Sequence, residues 1–191
     1  MSGPGGVGKS TIVAELQRRI PFHFSVSATT RAARPNEIEG FHYRFVTREQ
    51  FEQLIEADDL LEWAVFIDNY YGTPRDAVVA ALDEGRDVML DIEVQGARQI
   101  RDTVPEALMI FVAPPSIEAL RGRLEARADT SAADIEAKLH IAQEQLEAAP
   151  GLFDHIVVND DVERAIEEIL DLVDLGPPLT ETDGVDPWTG R

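Results

Sequence analysis

Gly3-Pro4-Gly5-Gly6-Val7-Gly8-Lys9-Ser10 is the stretch from which the rest of this chain can be read. It fills G-x-x-x-x-G-K-[ST] at all four specifying positions, and an amphipathic segment, Lys9 to Ile20, follows at once with Ile12, Val13, Leu16 and Ile20 as its apolar face. Glycines at these places let backbone N–H groups turn inward around a phosphate chain, where side chains would stand in the way. A lysine after the last glycine reaches β- and γ-phosphates, and the hydroxyl that follows serves Mg²⁺. The N-terminus of the helix adds its partial positive charge. Gly3, Pro4, Gly5, Gly6, Val7, Gly8, Lys9, Ser10 and Thr11 are therefore the expected ATP-binding set, with Lys9 catalytic and Ser10 on the metal. The competing reading is a glycine-rich turn that happens to precede a helix. A loop of this kind normally hangs from a strand, and only Met1 and Ser2 precede it here. The first strand is thus expected to be missing from this sequence, and the natural chain to begin upstream with an apolar, β-branched segment.

Outward from the loop, element types alternate. Strands are expected at His23 to Ala28, Gly40 to Val46, Leu60 to Phe66, Asp87 to Ile92, Ala107 to Val112 and His155 to Val158. Between them, Thr47 with Gln50 forms a capping box for a helix to about Ala57, and Thr73-Pro74 reads as N-cap and first-turn proline of a helix ending at Gly85. Further helices are expected from Val94 to Arg101, from Ser116 to about Arg127, from a second capping box at Ser131 and Asp134 to about Ala148, and from Val162 to Val173. Strands separated by helices indicate βαβ units and an α/β fold with a parallel sheet. Residues 1–175 read as one domain, and 176–191 as a disordered acidic tail without apolar periodicity.

The chain has 191 residues and a formal net charge of −19, with 44% hydrophobic and 28% charged residues. That is ordinary globular composition with a strongly acidic surface, which argues against binding nucleic acid or an anionic membrane. Cysteine is absent, excluding disulfides and thiolate metal sites. No apolar run reaches the ~18 residues of a membrane span and no signal-peptide pattern opens the sequence, so a cytoplasmic location is expected. Of the 17 cations only Lys9 and Lys138 are lysines. The histidines are scattered without metal-ligand spacing.

A second anion site is suggested by Ser25-Val26-Ser27-Ala28-Thr29-Thr30-Arg31-Ala32-Ala33-Arg34-Pro35, with Tyr43 close behind. Two guanidinium forks and a phenol hold a phosphate with a geometry that a lone lysine lacks. A solvated surface loop is the alternative.

The order of GPGGVGKST, SVSATTRAARP, GFHYRFV, LLEWAVF, NYYGTP, LDIEVQGARQIR, IFVAPPS, RLEAR and IVVND, from residue 3 to about 160, resembles guanylate kinase, the P-loop family that phosphorylates GMP with ATP. The resemblance implies a P-loop kinase with a small β-rich GMP-binding lobe at about 26–76 and a helical lid at about 118–148. Arg31, Arg34, Tyr43 and Tyr71 would hold the GMP phosphate. Ser27 and Thr73 would offer hydroxyls to guanine O6, while Glu62 and Glu93, the latter where aspartate is usual, would accept from the N1–H and 2-amino donors. Adenine lacks that donor pair, so AMP should be rejected. Asp91 would lie near the metal. Arg123 and Arg127 match the family's first lid arginines, and Lys138 stands where arginine is usual, keeping the charge and losing the bidentate fork.

The structural alternatives are a partly buried Glu62 with a local partner, a core Tyr70, and lid arginines engaged in i,i+4 pairs. The expected reaction is ATP + GMP ⇌ ADP + GDP with Mg²⁺, with GMP or dGMP and ATP as partners. The alternatives are a non-catalytic guanylate-kinase-like binding module and a related sugar-phosphate phosphokinase. Oligomeric state is not legible from the sequence.

Overall fold

The computed structural model describes residues 1–126 and 131–175. Arg127 and the expected tail at 176–191 lie outside the described residues. In chain order the elements are α1 (Lys9–Arg19), β1 (His23–Phe24), β2 (Ala28–Thr29), β3 (Arg44–Phe45), α2 (Arg48–Glu56), β4 (Leu60–Phe66), β5 (Asn69–Pro74) and α3 (Arg75–Asp83). There follow β6 (Val88–Met89), α4 (Val94–Thr103), β7 (Ile110–Ala113), α5 (Ile117–Glu125), α6 (Ala132–Ala148), a short 3₁₀ turn (Ala149–Gly151), β8 (His155–Val158) and α7 (Val162–Leu175). The described residues form two compact units, 1–20 with 108–175, and 21–107.

In the first unit β7 and β8 pair in parallel, Ile110 opposite His155 through Ala113 opposite Val158. Ser2 bridges the other edge of β7: its N–H donates to the Ile110 carbonyl, and its carbonyl accepts from Val112 N–H. The residue before the loop is therefore hydrogen-bonded to the sheet. Arg19 at the end of α1 donates to Glu163 and Glu167 of α7. Helices α5 and α6 close over Leu120, Leu124, Ile135, Leu139 and Ala142, with Arg121 bound to Glu136 at their surface. Both helices start where their caps place them. Ser116 accepts from Ala119 N–H and Ser131 from Asp134 N–H, and the Ser131 hydroxyl also donates to the Asp134 carboxylate.

In the second unit a four-stranded sheet runs in the order β3-β2-β5-β4, antiparallel except for β2 with β3. Beside it β1 pairs with β6 in parallel. Phe51, Leu60 and Ala28 form the buried centre of the lobe, and Tyr70 stacks on Phe51 with ring centroids 5.0 Å apart. Tyr70 is thus a packing aromatic, the core alternative named for it above. Thr47 and Gln50 form the reciprocal capping box of α2.

Four expectations are corrected. His23 to Ala28 is not one strand: the chain changes sheets between β1 and β2, after Ser25 N–H has bonded Met89 O. Gly40 to Val46 keeps only Arg44–Phe45 as strand, because the Gly40 turn, at φ 72°, folds Phe41 and His42 back onto the Ile38 carbonyl. Asp87 to Ile92 is a strand only at Val88–Met89. Asn69–Pro74 is a strand that the sequence did not announce, so Thr73 is not the N-cap of α3: Pro74 holds that position, and the Thr73 hydroxyl bonds elsewhere. The β4–β5 hairpin turns through Ile67 and Asp68, both at positive φ, as a two-residue hairpin loop requires. No helix among the described residues is long and apolar enough to cross a membrane.

Candidate functional site

The phosphate loop lies in the first unit. Gly3, Gly6 and Gly8 have φ of 150°, 92° and 106°, a run of conformations that L side chains rarely adopt. Gly8, the N-cap of α1, is left-handed, and a Cβ there would come within 2.6 Å of the Asn159 amide nitrogen. The loop is closed by its own lysine, Lys9 Nζ donating to Gly3 O at 2.7 Å. From α5, Arg123 donates to Val7 O at 2.9 Å and to Asn159 O at 2.7 Å, while Asn159 Nδ2 donates to Val7 O at 2.8 Å. Pro4 is buried, whereas Gly5, Ser10 and Thr11 are exposed on the open side. A cleft of about 400 Å³ in this unit is lined by Gly6, Gly8, Thr11, Arg123, Asn159 and the two acids after it. The arrangement suits an anion: a glycine cradle at a helix N-terminus, with cations held on neutral carbonyls.

Of the expected lid residues, Arg123 bonds the loop rather than an acid of its own helix. Arg127 lies outside the described residues. Lys138 is half-buried on α6, one turn after Asp134, whose carboxyl it helps hold below the usual range after the Ser131 hydrogen bond. Asn159 was missed by sequence reasoning. Its signal is position, a polar residue immediately after a strand, where α/β folds place ligands.

The second unit gathers Arg31, Tyr43, Tyr71 and Asp91. Arg31 makes a two-pronged pair with Glu37 at 2.8 and 3.0 Å, and Arg34 gives its backbone N–H to the same carboxylate. Glu37 was also missed, although it continues the arginine spacing by three residues. Arg31 lies 5.4 Å from the Tyr43 ring centroid, and Tyr43 meets Tyr71 edge-on at 6.0 Å. Burial, with the Asp91 charge behind it, pushes the Tyr43 phenol up to about 12, so this phenol stays a donor. Although desolvation opposes its charge, Arg31 is held above its ordinary value by Glu37 and Tyr71.

Deeper in the lobe is Glu62, 3% exposed, on the face of β4 that also buries Leu60 and Ala64. The β4–β5 register shifts between Leu60 and Glu62, an irregularity of the kind that re-aims a side chain. Glu62 Oε1 accepts from the buried Thr73 hydroxyl at 2.6 Å. Burial raises its carboxyl to about 7, Thr73 opposes the rise, and the charges of Glu93 and Asp91 add to it. Glu93 is the N-cap of α4 without a side-chain cap bond. Ser27 is half-buried beside β2, and its carbonyl accepts from Arg44 N–H. The structure therefore groups Glu62, Thr73, Glu93 and Asp91, and beside them Arg31, Tyr43 and Tyr71. Among the described residues no group of three or more His, Asp or Glu could hold a metal ion alone. The exposed Ser10 hydroxyl is an oxygen donor of the kind Mg²⁺ takes, and one such donor fits an ion that keeps most of its ligands from water or a bound anion.

Comparison with known proteins matches residues 1–175 to the family described as guanylate kinase. The guanylate kinase of Synechococcus sp. (strain JA-3-3Ab) is 49% identical over 170 residues, 88% of this chain and 78% of that protein. That of Desulfitobacterium hafniense (strain Y51) is 46% identical over 170 residues, 88% and 84% of the two chains. The crystal structure of guanylate kinase from Anaplasma phagocytophilum aligns with a TM-score of 0.76 at 33% identity, covering 94% of this chain and 85% of that one.

Proposed function

The chain belongs to the guanylate kinase family, and we propose that it transfers the γ-phosphoryl group of ATP to the phosphate of GMP, giving ADP and GDP. The observation that carries this reading is the Glu62–Thr73 pair. An acceptor carboxyl is buried on an otherwise apolar strand face, held by the Thr73 hydroxyl and backbone, in the same unit as the Arg31, Tyr43 and Tyr71 cluster. Burying a carboxylate is costly without strong donors, and the N1–H and 2-amino edge of guanine supplies two in fork geometry.

In this reading Gly3 to Thr11 wrap the ATP phosphates, Lys9 follows the charge on the transferred group, and Arg123 fixes the loop apex through Val7 O. Arg31, Arg34, Tyr43 and Tyr71 hold the GMP phosphate. Ser27 serves guanine O6, Glu62 and Glu93 serve the donor edge, and Thr73, whose single proton goes to Glu62 in the structure, would serve O6 only by giving up that bond. Ser10 would hold Mg²⁺ and Asp91 is the other residue expected on the metal; the ion would supply charge neutralisation on the phosphate oxygens when bound. A phosphate oxygen of GMP attacks the γ-phosphorus directly, so the protein contributes alignment and electrostatics rather than a nucleophile. Arg127 and Lys138 complete a lid. The expected location is the cytoplasm.

Coupled detection of ADP release with Mg·ATP and GMP, dGMP, AMP or no acceptor tests the reading. Turnover is expected with GMP, and AMP should be poorer by at least ~10²-fold. ADP release indifferent to GMP, or no release at all, would overturn it.

A further inference from the structure

We propose that Gly96 and Gln99 of α4 are positioning residues that set base specificity by fixing where the Glu62 carboxylate lies. The proposal rests on the reading of Glu62 as the acceptor for guanine, and it adds two residues of α4 that act through β4.

Three observations in the second unit converge. The first is a missing side chain. A Cβ built on Gly96 would lie 1.8 Å from Glu62 Oε2, 2.7 Å from its Cδ and 3.2 Å from its Cγ. Glu62 therefore lies across the first turn of α4, and only a residue without a side chain admits it. Gly96 has no unusual φ that would ask for glycine, and a helix interior ordinarily disfavours glycine relative to alanine. Room for the carboxylate is the reason that remains on the structure.

The second observation concerns the strand. β4 is the outer strand of its sheet, so one row of its backbone groups faces away from β5. Gln99 fills that row at Trp63, the neighbour of Glu62: its Oε1 accepts from Trp63 N–H at 3.1 Å, and its Nε2 donates to Trp63 O at 2.6 Å. One side-chain amide thus does the work of a paired strand residue, and Gln95, a turn earlier, accepts from Val65 N–H at 3.4 Å. The third observation is the register shift just before Glu62, which frees that residue's direction from the regular pleat.

The consequences follow from geometry. Thr73 holds one oxygen of the carboxylate and the space above Gly96 receives the other, while Gln99 fixes the backbone that carries it. A fork that must meet two adjacent donors tolerates little displacement. An alanine at 96 would force Glu62 to retreat by ~1.5 Å to reach ordinary contact, and misplacements of about 1 Å can cost up to ~10²-fold. The clashing atoms are the far end of a flexible side chain, so the carboxylate yields before the fold does.

The test is a double-mutant cycle on the full chain with Gly96→Ala, Glu62→Ala and both together, plus Gln99→Leu. kcat and KM for GMP and AMP are measured at saturating ATP, alongside thermal melts. We expect Gly96→Ala to raise KM for GMP at least ~10-fold, with a much smaller change in kcat, and to narrow the GMP-over-AMP ratio. In the Glu62→Ala background, where the clash is gone, the same substitution should change neither the ratio nor the melt. Gln99→Leu should move KM and the ratio the same way by ~3-fold. A wild-type ratio in Gly96→Ala, or effects that simply add to those of Glu62→Ala, would overturn the positioning role. If Gly96→Ala does not fold, Gln99→Leu decides, and an unchanged ratio there overturns the proposal. An unchanged ratio in Glu62→Ala would instead remove the base-reading assignment, and the positioning role with it.

Discussion

At Gly3–Lys9 the candidate anion site is built from backbone: three glycines at positive φ, a helix N-terminus, and Lys9 and Arg123 resting on the carbonyls of Gly3, Val7 and Asn159. In the lobe it is built from side chains. Arg31 sits on the Glu37 carboxylate, Tyr43 and Tyr71 stand edge to edge, and Glu62 is sealed under Thr73 and Gly96. The loop's lysine closes on a residue six positions away, whereas Glu62 meets groups eleven and thirty-four positions on. One site is written in a short segment, and the other exists only once a hairpin and a helix have packed. They also differ in what titrates. The lobe holds a carboxyl raised to about 7, so pH dependence near neutrality should enter through the lobe.

The largest effect expected is at the loop. In the proposed reading Lys9, which donates to Gly3 O in the structure, turns to oxygens whose charge shifts during transfer, so Lys9→Ala should lower kcat at least ~10²-fold with little change in melting temperature. Turnover close to wild type in a folded Lys9→Ala protein would remove the catalytic assignment and, with it, the contrast between the two regions.

Next in size is a stability effect confined to the lobe. Folding raises the Glu62 carboxyl from 4.5 to about 7, so the native state keeps a proton that the unfolded chain gives up. The stability contributed by this group is fully present below pH 4.5 and is lost as pH rises to about 7. The loss amounts to something on the order of 3 kcal/mol across that window. Glu62→Gln has no such proton, so the gap in melting temperature between variant and wild type should move in the variant's favour from pH 4.5 to 7.5. A gap that does not change with pH would show that Glu62 ionises normally in the fold.

The same carboxyl should govern recognition more modestly. A donor fork selects its ionised form, so KM for GMP should rise as pH falls below about 7, approaching ~10-fold per pH unit, and Glu62→Gln should flatten that slope. Glu62→Ala should narrow the GMP-over-AMP ratio of kcat/KM at least ~10-fold. A wild-type pH slope in Glu62→Gln would place the titrating group elsewhere.

Legibility follows the same division. Capping residues and the loop spacing are local signals, and α1, α2, α5 and α6 begin where Lys9, Thr47, Ser116 and Ser131 predict. β5 was hidden because Asn69-Tyr70-Tyr71-Gly72-Thr73-Pro74 carries glycine and proline, both unfavourable in strands, and is held by pairing with β4 and β2. That pairing turned Thr73 from an expected cap into the partner of Glu62. Glu62 itself entered only through the resemblance, since an acid in an apolar strand carries no local sign of its partner. Gly96 and Gln99 read as ordinary helix residues until the helix is seen against the strand.

The smallest effect expected lies within the first unit, between two cations of the proposed lid. Arg123 spans two carbonyl oxygens, Val7 O and Asn159 O, with separate nitrogens of one planar group. A lysine ammonium cannot reproduce that fork, so Arg123→Lys should lower kcat by up to ~10-fold. Lys138 is itself the point charge on a flexible stem, half-buried on α6 with Asp134 one turn before it. If it reaches the transferring phosphoryl group, Lys138→Ala should lower kcat about 3-fold, while Lys138→Arg should match or exceed wild type because it gains the bidentate geometry. Steady-state kcat for the three variants at saturating ATP and GMP is the measurement. Normal turnover in Lys138→Ala would leave the lid role to Arg123 and Arg127. A loss in Lys138→Arg as large as that in Lys138→Ala would mean that the position requires a compact ammonium, and that fork geometry is not what separates the two cations.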